Sequence, residues 1–218
     1  MPDAFWDSAG LPLAMGLLST LALVACDFRG WRPGRYLFKP LSALAFIWLA
    51  WSLGATQSSY GTTLLIGLAL CMVGDLALMF EREDAFLLGL VAFLSGHLAY
   101  VAAFALLPMN ATGLWTSLLL ATGLVTGSLR WLIPHISGVM RYAVPLYILV
   151  IASMLVVAGG TMGLPASALI ISGAWAFAIS DLAVARRQFI SSSRYNQLWG
   201  TPLYFLAQYL LASSVAFY

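Results

Sequence analysis

Charge is scarce in this sequence. Ten lysines and arginines and eight aspartates and glutamates are spread over 218 residues, 8% of the chain, where a soluble globular domain carries about 25%. Such a shortfall argues against a water-solvated surface. With 62% hydrophobic residues and a mean hydropathy of +0.93, the chain reads as a bilayer protein. The net charge is only +2, and no basic run or aromatic-plus-basic platform speaks for nucleic acid. Cysteine is nearly absent as well. Cys26 and Cys71 stand apart in apolar segments, with no CxxC pair, which argues against a disulfide framework or a zinc site. Without a dense His/Cys/Asp cluster no metal is expected, and no other cofactor or obligate protein partner is inferred. LVAC at 23–26 resembles a lipoprotein cleavage site. The preceding MPDAFWDSAG is acidic, however, and lacks the basic stretch of a signal peptide, so the first apolar run is read as a retained helix.

What the sequence does have is one apolar run after another. Stretches of about 17–23 residues are long enough to cross a bilayer as helices. Eight are read: 11–27, 40–56, 61–80, 85–107, 112–129, 139–159, 165–184 and 199–217. The expected fold is all-α, a single eight-helix transmembrane domain over residues 1–218. Only 28–39, 130–138 and 185–198 have the length of loops. Lys39 opens the second span, and Pro40 after it suits a first helical turn. Every basic residue falls in an odd-numbered connection: Arg29, Arg32, Arg35 and Lys39 in the first, Arg82 in the third, Arg130 and Arg141 in the fifth, Arg186, Arg187 and Arg194 in the seventh. The positive-inside rule then puts the odd connections in the cytoplasm and both termini outside. This is the expected topology of a multi-pass protein of a bacterial inner membrane.

Two acids break the apolar runs. Asp75 lies in CMVGDLALMFERE and Asp181 in WAFAISDLAVARRQF, within a shared pattern [Gly/Ser]-Asp-Leu-Ala-[Leu/Val]. Asp75 precedes Glu81 by six residues, about 9 Å of helix, and Asp181 precedes Arg186 by five, about 8 Å. The two therefore sit at nearly one level in the cytoplasmic half. His97, Tyr100, Tyr147, Tyr204 and Gln208 enter from the same side, at about 7–24 Å by the same rise. Gly67, Cys71 and Asp75 recur every four residues, as do Gly173, Phe177 and Asp181, and Phe93, His97, Tyr100 and Phe104 make a similar stripe. Each set lies on one helix face, and small residues there let helices approach closely. A carboxyl group at membrane depth faces a cavity or a partner. The bland reading has each acid snorkelling to an arginine at its helix end. Two acids matched in depth and local sequence favour a shared polar pocket instead. His135 lies in a connection and is read as solvated. The matched acids also suggest a parallel repeat of spans 1–4 and 5–8.

Taken together these residues resemble the YhhN-type lysoplasmalogenase family of membrane hydrolases. The likeness runs from Lys39 to about Ala212. It is carried by Lys39-Pro40, by GDLAL at 74–78, and by Phe86, Gly89, Phe93, His97 and Tyr100 in their spacing. Tyr147, F-x2-SD at 177–181 and Tyr204-x3-Gln208 complete it. The order and spacing across six helices are specific, although no single motif is. The resemblance implies hydrolysis of the vinyl-ether bond of a lysoplasmalogen, a lysophospholipid drawn from the membrane. The products are a fatty aldehyde and glycerophosphoethanolamine or glycerophosphocholine.

That chemistry suits the residues. Vinyl-ether hydrolysis needs a proton on the β-carbon, and water then attacks the resulting oxocarbenium ion. Glycosidases pair two carboxyls around a similar transition state. Asp75 and Asp181 are the expected catalytic pair, sharing a proton so that one acts as acid and the other as base. Lys39, His97, Tyr100, Tyr147, Tyr204 and Gln208 are expected to bind the substrate or position the acids, with Lys39 or an arginine of the first connection on the phosphate. A proton-coupled lipid or small-molecule transporter would also use intramembrane acids. An intramembrane aspartyl protease is the third reading, but its GxGD signature is missing, since residue 72 is Met.

Overall fold

A helix satisfies its own backbone, which a bilayer demands, and every long element here is one. The structure, a computed structural model, describes residues 5–80, 82–193 and 195–218. Glu81 and Arg194, used in the depth and charge readings, lie outside the described residues. Among the described residues there are eight α-helices: α1 (Phe5–Arg29), α2 (Arg32–Ser52), α3 (Ser59–Ala77), α4 (Glu83–Ala105), α5 (Ala111–Leu132), α6 (Met140–Gly160), α7 (Ser167–Phe189) and α8 (Tyr195–Ser214).

The helices outrun the apolar stretches at their basic ends. The loop expected at 28–39 shrinks to a turn at Gly30, whose φ of 68° suits glycine. The one expected at 130–138 is largely helix and a 3-10 turn, Ile133–His135, and that at 185–198 loses its first residues to α7 and its last to α8. Hydropathy marks depth in a bilayer, whereas arginine and glutamine are good helix formers. Pro40 is a clear correction. It lies inside α2, and Pro33 occupies the first turn, where a missing N–H costs nothing. His135 is exposed, as expected, with its ring on the Trp131 carbonyl.

Six of these helices are long and apolar enough to cross a membrane. The other two, α2 and α8, carry the polar residues that dilute their apolar character: Arg32, Arg35, Lys39 and Ser42 on α2, and Asn196, Gln197 and Gln208 on α8. Neither is the shortest, since α3 has 19 residues against their 21 and 20. Helix α8 is the most enclosed, packed against α7, α1, α2 and α3, so its polar groups meet protein rather than lipid.

Successive helices pack in tight pairs, and small residues set the spacing. A Cβ added at Gly96 on α4 would strike the Cys71 sulfur on α3, and one at Gly67 on α3 would strike the Tyr100 ring on α4. On the other side Gly173 of α7 leaves room for Leu211 of α8. Close backbone approach supplies the dispersion contact that replaces a hydrophobic driving force between helices in lipid. Around the outside, Leu18, Leu21, Leu119 and many other large apolar side chains are exposed, as lipid contact requires.

Candidate active site

Asp75 sits in the last turn of α3 and is 2% exposed. A buried carboxylate needs donors, and two helices bring them. Lys39, from α2, places its ammonium 3.2 Å from Asp75 Oδ1 and donates to the Asp75 main-chain carbonyl at 3.0 Å. It thereby also serves one of the free carbonyls at the end of α3, where a cation is favoured. Tyr204, from α8, donates to Asp75 Oδ2 at 2.5 Å. Behind it the chain continues: Gln208 Nε2 donates to the Tyr204 oxygen at 3.0 Å, and the Tyr100 hydroxyl donates to Gln208 Oε1 at 2.7 Å. Every donor in this run has an acceptor, so the orientation of each group is determined.

Asp181, in α7, has a different neighbourhood. Tyr147 of α6 donates to Asp181 Oδ2 at 3.0 Å. The imidazole Nε2 of His97, from α4, stands 3.6 Å from the same oxygen. His97 is fully buried, and its Nδ1 lies 2.7 Å from the Phe93 carbonyl. A carbonyl only accepts, so Nδ1 carries a hydrogen, and when the ring is neutral its Nε2 is an acceptor. Among the described residues, His97 Nε2 is the one buried side-chain nitrogen or oxygen without a hydrogen-bond partner. Asp75 therefore faces an ammonium and a phenol, whereas Asp181 faces a phenol and an imidazole nitrogen.

The two acids meet across a cluster of rings. Phe177 of α7 packs its ring 4.3 Å from that of His97, 5.3 Å from that of Tyr204 and 6.2 Å from that of Tyr100. Beside it opens a cavity of about 680 Å³, within the range of small-molecule sites. Lys39, Asp75, Tyr147, Asp181 and Tyr204 line it. His97, Tyr100 and Gln208 are fully buried behind these residues. All eight residues expected from the sequence thus fall into two adjoining groups, five on the cavity and three buried behind them.

Three further residues were not singled out. Asp27, near the end of α1, lines the cavity and pairs with Arg35 of α2 at 3.7 Å. Arg35 also reaches the Leu78 carbonyl at the end of α3. Beside Arg29, Asp27 reads as an interfacial acid, and Arg35 as a topology signal. Asn196, fully enclosed, accepts from Arg186 at 2.7 Å and donates to the Ser191 carbonyl, which ties the start of α8 to the end of α7. The only trace of it in the sequence is an asparagine in a polar connection.

Comparison with known proteins gives the arrangement a relationship. The YhhN family profile matches residues 34–215, from the first turn of α2 to the end of the chain's last helix. The chain belongs to the YhhN family. Its curated relatives include human lysoplasmalogenase TMEM86A, 31% identical over 188 residues, covering 80% of this chain and 74% of the human one. The cattle TMEM86A is 29% identical over 192 residues with the same coverage. Pig lysoplasmalogenase TMEM86B is 33% identical over 154 residues, 69% of this chain and 62% of its own. No solved structure matches the chain. As a YhhN-family member with several long apolar helices, it is a multi-pass membrane protein.

Proposed function

We propose that this YhhN-family enzyme hydrolyses the vinyl-ether bond of lysoplasmalogens, releasing a fatty aldehyde and a glycerophospho-alcohol, with Asp75 and Asp181 as its working acids. The names of its relatives support the reaction class. The observation that carries the residue assignment is the single cavity that holds both carboxyl groups in unlike hydrogen-bonding surroundings.

The surroundings suggest the division of labour. Asp75 accepts from an ammonium and a phenol, which holds it as a carboxylate. Asp181 faces a lone pair on His97, which gives it a place for an O–H. In this reading Asp181 delivers its proton to the β-carbon of the vinyl ether. The double bond shifts, and the positive charge appears on the ether-bearing carbon and its oxygen. The Asp75 carboxylate stabilises that cation and takes a proton from the attacking water. In the hemiacetal's collapse its hydroxyl proton passes to the leaving oxygen, giving aldehyde and alcohol, and the proton held by Asp75 returns to Asp181 for the next turnover. A positioned acid or base contributes about 10²–10⁴-fold to each such step. Lys39, Tyr147 and Tyr204 position the acids at the cavity wall. His97, Tyr100 and Gln208 are positioning residues that act through them. No step requires a metal or another cofactor.

The same reading extends to the membrane. All eight helices cross it, with the basic connections in the cytoplasm, both termini outside and the acids in the cytoplasmic half. A 4+4 repeat accords with the contacts. Asp75 and Asp181 are 106 residues apart, Lys39 and Tyr147 are 108 apart, and His97 and Tyr204 are 107 apart. Each acid is met by a residue from the second helix of its own half and one from the fourth helix of the other.

The test is product analysis with purified protein in detergent. Equimolar aldehyde and glycerophospho-alcohol from a long-chain lysoplasmalogen is the expected result. Lipid that binds and is recovered intact, across head groups and chain lengths, would favour a carrier and overturn the proposal.

A further inference from the structure

The larger contacts of the two halves of the bundle match except at one seam. Stepping four helices along, the α3–α4 pair matches α7–α8, and the α4–α6 contact matches α8–α2. By the same step the α1–α8 contact should match α5–α4. The α1–α8 seam is closed and bonded. The Tyr209 ring fills the space at Gly16, its hydroxyl donates to the Ser42 carbonyl at 3.1 Å, and Thr20 lies 3.4 Å from it. Among the described residues, α5 packs on α6 and lightly on α7, with no contact of comparable extent to α4.

The cavity reaches this unclosed seam. Its apolar arm runs between Leu90 on α4, Leu124 and Ser128 on α5, and Ile148 and Ile151 on α6. It also divides the hydrophobic interior. Leu124 and Ile151 belong with the main core, whereas Leu132, Val144 and Ile148 form a separate cluster at the basic end of α5 and α6. At the other end α5 and α6 are clamped. A Cβ on Gly113 would overlap the Gly159 carbonyl, and Asn110 N–H donates to the Gly160 carbonyl at 2.7 Å. Helix α5 is thus anchored at one end and parted from α4 at the other.

We infer that a single-chain lipid enters from the leaflet between α4 and α5 and lays its hydrocarbon chain in this arm, with its reactive end at Asp75 and Asp181. The seam opposite, between α1 and α8, is the closed wall of the site. This inference rests on the lysolipid reading above and adds the route and the chain-binding residues.

Two measurements test it, and the first does not depend on turnover. A lysophosphatidylcholine with an ester-linked chain bearing a diazirine is photolysed with the protein in phosphatidylcholine nanodiscs, and labelled residues are mapped by mass spectrometry. Label on α4 and α5 around Leu90, Leu124 and Ser128, removed by excess unlabelled lysophosphatidylcholine, is expected. Competed label at the α1–α8 seam instead would overturn the route. The second measurement is Ser128→Trp, which fills the arm. Turnover of a long-chain lysoplasmalogen should fall at least about tenfold while that of a butenyl analogue stays within about twofold. Leu119→Trp, on the lipid-facing side of α5, should leave both unchanged. Equal loss on both substrates in Ser128→Trp would overturn the chain arm. A parent inactive on both substrates would defeat the hydrolase reading, and the photolabelling would still decide the route.

Discussion

Asp75 and Asp181 line one cavity, yet their surroundings differ. Asp75 is held by a lysine and a tyrosine, and behind the tyrosine a glutamine and a second tyrosine complete the run. Asp181 is held by one tyrosine, with His97 Nε2 3.6 Å away. The carboxyls differ because the residues that meet them differ: Lys39 and Tyr204 at Asp75, Tyr147 and His97 at Asp181. A carboxylate surrounded by donors is fixed in charge and place. A carboxyl beside an acceptor has a proton to exchange. Unlike environments for two neighbouring titratable groups are what acid–base division of labour requires.

The comparison is broken most severely by removing either acid. Asp75→Asn and Asp181→Asn should each lower kcat by about 10³-fold, measured as aldehyde release. A variant retaining parent activity would take that acid out of the chemistry. Lys39→Met comes next. It should lower kcat by about 10²-fold and destabilise the protein by about 3–5 kcal/mol, because it strands a buried carboxylate. The double variant Lys39→Met/Asp75→Asn should regain much of that stability in detergent denaturation and none of the activity. Among the described residues Asp181 is met by the His97 ring rather than by a lysine, and that asymmetry is the point of the test.

His97→Ala probes the Asp181 side. Its kcat should fall by about tenfold or more with KM within about twofold, since His97 lies behind the cavity wall and acts through Asp181. A rise in KM alone would make it a substrate contact. The smallest effects belong to the two phenols. Tyr204→Phe and Tyr147→Phe each delete one hydrogen bond to a carboxyl group, worth about 1.5–3 kcal/mol at most when the acceptor is charged. Tyr204→Phe should cost more, because its bond is shorter and it also accepts from Gln208. Equal losses would argue that both acids carry the same charge.

Much of this site was legible in the sequence, for a definite reason. A carboxyl in an apolar run is expensive, so Asp75 and Asp181 announce themselves, and helical spacing then finds their neighbours. Cys71 and Gly67 on α3 do face Tyr100 and Gly96 on α4, as the four-residue stripes required. The start of α2 was missed because its first turns are basic and hydropathy does not register them. Asp27 was missed because an acid near a span end looks like an interface, and Arg35 was legible only as one of the first connection's arginines suited to a phosphate. The parted α4–α5 seam has no signature in either helix alone. It shows only when α5 is compared with α1, after both have been packed.

The most direct test of the central claim is to run the reaction in D2O and trap the aldehyde. Protonation of the vinyl ether at carbon by Asp181 predicts one deuterium at the aldehyde's second carbon, from the parent and not from Asp181→Asn, which should release almost no aldehyde. Aldehyde without deuterium at that carbon, or labelled aldehyde from Asp181→Asn at the parent's rate, would contradict the account.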